Sequence, residues 1–187
     1  MEADWSVEVG PQLAVIDAGW PGFIDLRASR DDVVQVSEAK CNEAVREALL
    51  ALNAPESPLF TVKCDLWELE SSEVDPAEFD CTPADAQKGV ACYVDVLARE
   101  TAIFAVFARH EAWAQAVAVR LREFAFGCGR VDLVVRSAHA GGREGFGITL
   151  YAAGCGEDSK AAYAAWGGVL RAAVAATINE AENLPLR

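Results

Sequence analysis

Apolar and polar positions alternate along four short stretches of the chain, each with an aspartate inside it: FIDLR (23–27), KCDLWEL (63–69), YVDVLAR (93–99) and RVDLVVR (130–136). Alternation with period two is the mark of a strand with two unlike faces, because residues two apart share a face. One face collects Ile24 and Leu26, Val62, Cys64 and Leu66, then Val94 and Leu133 with their neighbours two apart. That face is apolar and must meet a layer of helices. The other collects Asp25 and Arg27, Lys63, Asp65 and Trp67, Tyr93, Asp95 and Arg99, and Asp132 and Arg136. The aspartates are therefore expected on a sheet face turned away from the core.

Between these stretches the apolar spacing changes to three and four. Ala44, Val45, Ala48, Leu49 and Leu52 predict a helix that begins near Ser37 and stops at Asn53 and Pro55. Ile103, Phe107, His110, Trp113, Val117 and Leu121 predict a second, closed by the GCG at 127–129. A third starts at Asp158 or Ser159 and runs to about residue 181. Strands are predicted over 23–28, 59–69, 90–99, 130–138 and 147–153, the last two joined through AGGREGFG (140–147).

The order from residue 23 is βαββαβ followed by βα. Its first six elements resemble a ferredoxin-like unit in topology, an α+β arrangement with a mixed or antiparallel sheet and helices mainly on one face. On this reading residues 1–22 are an irregular N-terminal segment in which WSVEV and LAVID are short strands. Residues 23–187 form a single α+β domain, with an acidic connection at about 70–89.

Composition narrows the function. The 187 residues are 52% hydrophobic, ample for a packed core. Acids outnumber bases 29 to 16, a net charge of −13, which disfavours nucleic-acid backbones and anionic membranes and suits a basic protein partner. No signal-peptide pattern opens the chain and no apolar run is expected to span a bilayer, so a cytoplasmic location is expected. Six cysteines form no C-x-x-C and none has a histidine at zinc-ligand spacing, so most of them are expected to be small buried hydrophobes, with no metal or cofactor.

The remaining chemistry gathers on the polar sheet face. Asp65, Trp67, Tyr93, Asp95, Arg99, Asp132, Arg136 and His139 are the candidate ligand- or partner-binding residues, aromatics for flat apolar area and arginines for forked donors. Glu73, Asp75, Glu78 and Asp80 form a candidate acidic docking segment. The helix starting near residue 158 carries one stripe, Tyr163, Trp166, Leu170, Ala173 and Thr177, expected to pack on the core, and a second, Ala164, Gly168, Ala172 and Ala176, which fits close approach of this chain's own helix or of a second copy in a homodimer. His110 reads as a packed core histidine, and GGREGFG as a hairpin rather than a phosphate loop. No nucleophile, metal or nucleotide motif is present. The expected function is a non-enzymatic interaction protein, such as an assembly factor or regulatory subunit. The alternative is a small-molecule enzyme or ligand-binding domain with its site on the same face.

Overall fold

In the computed structural model, which describes residues 1–19, 21–124 and 127–184, the chain is mixed α+β with a six-stranded mixed sheet. Strands β1 (Glu2–Glu8) and β2 (Val15–Asp17) come first, then α1 (Ser37–Cys41) and α2 (Glu43–Leu52). Strands β3 (Leu59–Leu69) and β4 (Lys88–Ala98) follow, then α3 (Thr101–Phe104) and α4 (Phe107–Arg122). A hairpin of β5 (Gly129–Ala140) and β6 (Arg143–Gly156) leads into α5 (Ser159–Glu182).

The sheet order is β1-β5-β6-β4-β3, with β2 also on β5. Both N-terminal strands pair with β5 in parallel, and the other pairs are antiparallel. In a ferredoxin-like unit the first strand sits inside the sheet, between the two strands that follow the split. Here β6 takes the inner place and the N-terminal strands lie at the edge.

The strand expected at 23–28 is absent. FIDLR is a turn in which the Asp25 carboxylate accepts the Arg27 backbone N–H at 3.0 Å, while the Ala28 N–H donates to the Asp25 carbonyl. An aspartate that satisfies nearby amides offers the chain an alternative to a ladder, and Pro21-Gly22 just upstream frees it from one. The expected helix from Ser37 is broken at Asn42, whose side chain accepts the N–H groups of Ala44 and Val45 and so starts α2 afresh. Strand β6 begins four residues earlier than expected because Gly141 and Gly142, at φ 56° and 74°, close a two-residue turn that pairs Ala140 with Arg143.

All three long helical segments cover one face. Val94, Leu133 and Leu150 point into that layer against Trp113, Val117, Trp166 and Leu170, and all are buried. The Trp113 indole N–H donates to the Thr177 carbonyl at 3.0 Å and ties α4 to α5. Helix α5 packs close on β6 because Gly154 has no side chain where the Trp166 backbone passes. Of the expected core stripe on α5, Trp166, Leu170, Ala173 and Thr177 are buried and Tyr163 is half-buried against the core. Contrary to the sequence expectation, α5 is long and apolar enough by composition to cross a bilayer; Ala162, Trp166, Val169 and Leu170 are buried in the main core. His110 is fully buried beside Trp113, and burial lowers its pKa.

Two smaller apolar clusters lie at opposite ends of the sheet. Phe60, Val62, Leu97 and Ala138 join Val15 of β2 and Phe104 of α3 in one. Val62, expected on the helix side, belongs here because β3 bulges between Thr61 and Lys63 and the extra residue turns to the other face. The other cluster joins Val74, Phe79 and Ala86 of the acidic connection to Cys155 of β6. The acidic connection thus carries its own anchored apolar residues.

Candidate functional site

Register builds the open sheet face row by row. One row runs Asp65–Tyr93–Tyr151–Asp132–Asp4 across β3, β4, β6, β5 and β1. The next runs Lys63–Asp95–Thr149–Val134–Ser6. Trp67 lies one row to the other side, opposite Ala91, and Arg136 lies opposite Glu8 on β1.

The aromatic side chains form a continuous row. Trp67 and Tyr93 have ring centroids 6.3 Å apart, and Tyr93 and Tyr151 5.9 Å, both tilted. These are contacts of the favourable offset kind. Trp67 is 38% exposed at the sheet edge. Lys63 Nζ lies 5.5 Å from the Tyr93 ring centroid, and its bond with the Tyr93 hydroxyl raises the lysine pKa. Burial raises that of Tyr93.

The charges around this row are largely paired. Arg130 makes a fork to Asp132 with bonds of 2.6 and 3.0 Å, and a further contact of 2.7 Å to Glu78. Arg136 Nη2 donates to Glu8 at 3.0 Å and to the Tyr151 hydroxyl at 3.3 Å. Asp95, half-buried at the middle of the face, accepts the Thr149 hydroxyl at 2.6 Å. Burial raises the Asp95 carboxyl above the usual 3.8, and Thr149, Arg136 and Lys63 pull the other way. A depression of about 410 Å³ opens over Arg130, Asp132, Arg136 and Tyr151. A second, of about 310 Å³, is lined by Gln12–Val15 together with Tyr93, Asp95 and Thr149.

Six of the eight sequence-predicted face residues, Asp65, Trp67, Tyr93, Asp95, Asp132 and Arg136, come together in these rows. Arg99 does not join them. Its Nε donates to the carbonyls of Ser57 and Leu59 at 3.0 and 2.9 Å, so it fastens the turn before β3, and burial lowers its pKa. His139 also lies elsewhere. It shares strand parity with Val135 and Leu133, so it faces the helix side, exposed at the hairpin end opposite Glu144. Thr149, Arg130 and Glu8 belong to the site and were not singled out from sequence. The alternation ITLYA on β6 was the signal for Thr149; nothing local marks Glu8.

The acidic segment is employed locally. Glu73 accepts the Glu70 N–H at 3.0 Å in a reciprocal cap, and Asp75 accepts the Ala77 N–H at 2.9 Å. Glu78 holds Arg130, and Asp80 lies 3.8 Å from the Met1 ammonium.

The cysteines differ in setting: Cys41 is exposed, contrary to the expectation of buried thiols, and Cys64 is half-buried against the main core. Cys92 lies in the main core, where burial pushes its thiol up to about 12. Cys81, Cys128 and Cys155 instead bring three sulfur atoms within 4.8 Å of one another, although 47 and 27 positions separate them along the chain. Burial raises the thiols of Cys128 and Cys155.

No family model, curated protein or solved structure matches this chain. Fold and site together define an α+β sheet-and-helix protein with one face of its sheet left open and patterned.

Proposed function

We propose that this protein is a non-enzymatic interaction protein, acting as an assembly factor or regulatory subunit, that docks a basic protein partner on its open sheet face. The observation that carries this is the row Trp67–Tyr93–Tyr151, on a face the long helices leave uncovered, bordered by arginines already held in ion pairs. Aromatic and arginine side chains at the centre with charges at the rim is the composition of a binding hot spot. Pre-paired arginines lose little freedom when a partner covers them. The charge of −13, with Glu73, Asp75, Glu78 and Asp80 exposed beside this face, would steer a basic partner toward it. Six free cysteines suit a reducing compartment such as the cytoplasm.

The test compares the wild-type chain with a Trp67→Ala, Tyr93→Ala double variant in pull-downs, after circular dichroism has shown both folded. The reading expects a defined set of basic proteins to be released by moderate salt from the wild type and lost from the variant. Recovery of the same proteins at the same salt by both would end it. Neutralising Glu73, Asp75, Glu78 and Asp80 together should weaken capture and flatten its salt dependence while the chain stays folded.

One observation favours the alternative of a small-molecule site on the same face. Asp95, half-buried and with its raised carboxyl, lies with Thr149 and Arg136 in a depression that Gln12–Val15 also line. Native mass spectrometry of the purified chain separates the two readings: a retained small molecule lost on Asp95→Ala supports this one.

A further inference from the structure

The three thiols at the end of the sheet come from three separate segments. Cys81 belongs to the acidic connection, Cys128 to the loop before β5, and Cys155 to the penultimate position of β6. Backbone bonds fix the segments to one another. The Gly129 N–H donates to the Phe79 carbonyl at 3.1 Å, and the Cys155 N–H to the Cys128 carbonyl at 2.9 Å. The sulfurs of Cys81 and Cys155 are 3.4 Å apart, well beyond a disulfide bond. All three thiols are free, and their sulfurs converge within 4.8 Å. Cation–thiolate bonds of about 2.3 Å at tetrahedral angles would set sulfurs about 3.8 Å apart, so the trio needs only small movements to share one ion.

Cys155 is buried in a small apolar cluster, and Cys81 and Cys128 pack against it half-buried, so unlike Cys92 they keep a side open to solvent from which a cation can reach the trio. Cys128 has φ 60° and Asp80, beside Cys81, φ 50°; these are the two non-glycine residues at positive φ among those described. Each is a conformation an L-residue adopts against its preference, and both occur where the chain turns a sulfur toward the cluster. Val74, Phe79, Ala86 and Leu69 form an apolar wall on the same cluster, which would shield bound thiolates from water.

We propose that Cys81, Cys128 and Cys155 form a binding site for a thiophilic d10 cation, Zn2+ or Cu(I), held by three thiolates. Soft thiolates select these ions over the harder Mg2+ and Ca2+. Among the described residues the ligand group comprises these three alone. Cu(I) is satisfied by a trigonal set of that kind, whereas Zn2+ would complete a tetrahedron with water on the exposed side. Binding turns three thiols into three thiolates and releases their protons to solvent. The site ties the acidic connection to β5 and β6, so an ion there would brace the segment that carries Glu73, Asp75, Glu78 and Asp80.

The experiment uses the full chain, free of any affinity tag, reduced and kept anaerobic. Zn2+ is titrated against a chromophoric chelator and Cu(I) against a bathocuproine competitor, with Co2+ as a spectroscopic substitute. One equivalent of Zn2+ or Cu(I) should bind, and Co2+ should give a thiolate charge-transfer band that the tighter ion abolishes. Cys81→Ser and Cys128→Ser, each with unchanged circular dichroism, should weaken binding by more than about 100-fold. Cys41→Ser, outside the cluster, should leave it unchanged. Cys155→Ala serves as a further variant should either serine variant fail to fold. Uptake of neither cation, or equal affinity in wild type and a folded Cys81→Ser or Cys128→Ser, overturns the proposal. So does a reduced protein that binds no ion yet oxidises to a Cys81–Cys155 disulfide, which would make the pair a redox couple.

Discussion

Under the helices Val94, Leu133 and Leu150 are at most 2% exposed, whereas one residue along, on the other side of the same strands, Tyr93, Asp132 and Tyr151 keep contact with solvent. The same three strands serve both faces, and the difference lies in what each face is asked to exclude. The helix face excludes water and has no charged side chain from these strands in its central cluster. The open face holds its polar groups in pairs, Arg130 with Asp132 and Glu78, Arg136 with Glu8, Asp95 with Thr149. Buried apolar area dominates stability on the first, at roughly 25 cal/mol per Å². On the second, each partly exposed pair contributes about 1 kcal/mol or less, so those residues are free to be chosen for recognition.

The sharpest way to break this contrast is a charge on the dry side. Leu133→Asp should cost more than about 4 kcal/mol, because an unpaired carboxylate would sit among Trp113, Val117 and Leu150 with no partner. Chemical denaturation checks it. A folded variant with a loss below about 2 kcal/mol would mean that water already reaches this face.

A second test leaves charge alone and alters space. A Cβ on Gly154 would collide with the Trp166 backbone, which cannot swing away as a side chain can. Gly154→Ala is expected to cost about 1–3 kcal/mol, read from the denaturation midpoint. A neutral result would show that α5 does not rest directly on β6.

Much of this contrast was legible from alternation alone. Strand β3 has the bounds its pattern predicts, and the faces of Cys64, Val94, Leu133, Asp95 and Asp132 follow from it, because a half-buried strand writes its burial into its sequence with period two. What failed was whatever local pattern does not encode. FIDLR has a strand's alternation, but Asp25 binds its own turn and Arg27 reaches Asp17 at 2.8 Å, a residue no periodicity could supply. The bulge at Val62 shifts one residue across the sheet without changing the pattern around it. His139 reads as an accessible histidine at a strand end beside the glycine loop, yet its interval of three from Arg136 puts it on the other side of the sheet. The thiol trio was invisible because its spacing is set by three loops meeting in space, and ligand motifs are recognised in sequence only when they are close together.

Asp95 tests where the two faces grade into each other. Burial raises its carboxyl, so the folded chain holds this proton more tightly than the unfolded chain does. The ionised form therefore costs stability above the folded pKa, and that cost is relieved as pH falls toward 3.8. Asp95→Asn keeps an acceptor for Thr149 and removes the charge, so at pH 7 it should be neutral or stabilising by up to about 1 kcal/mol. The gap to wild type should close as pH is lowered, as thermal melts across that range would show. A variant clearly less stable at pH 7, by a gap that shrinks as acid protonates the wild-type carboxylate, would place that carboxylate in a stabilising pair instead.

The smallest effect is expected at Asp65, the aspartate at the rim of the neighbouring row, opposite Tyr93. Its Oδ1 accepts the neighbouring Leu66 N–H at 2.8 Å, and its side chain is exposed on edge strand β3. Asparagine can accept the same bond. No arginine fork or hydroxyl donor is lost with the charge, unlike at Asp132 or Asp95. Asp65→Asn should therefore change stability by less than about 0.5 kcal/mol at neutral pH. Comparison with Asp132→Asn sharpens the point. That substitution weakens the Arg130 fork, which also reaches Glu78 in the acidic connection, and should cost more than Asp65→Asn by a few tenths to about 1 kcal/mol. If the order is reversed in denaturant melts, the rim of the face contributes more to folding than its centre, and the aromatic row is held from its edge.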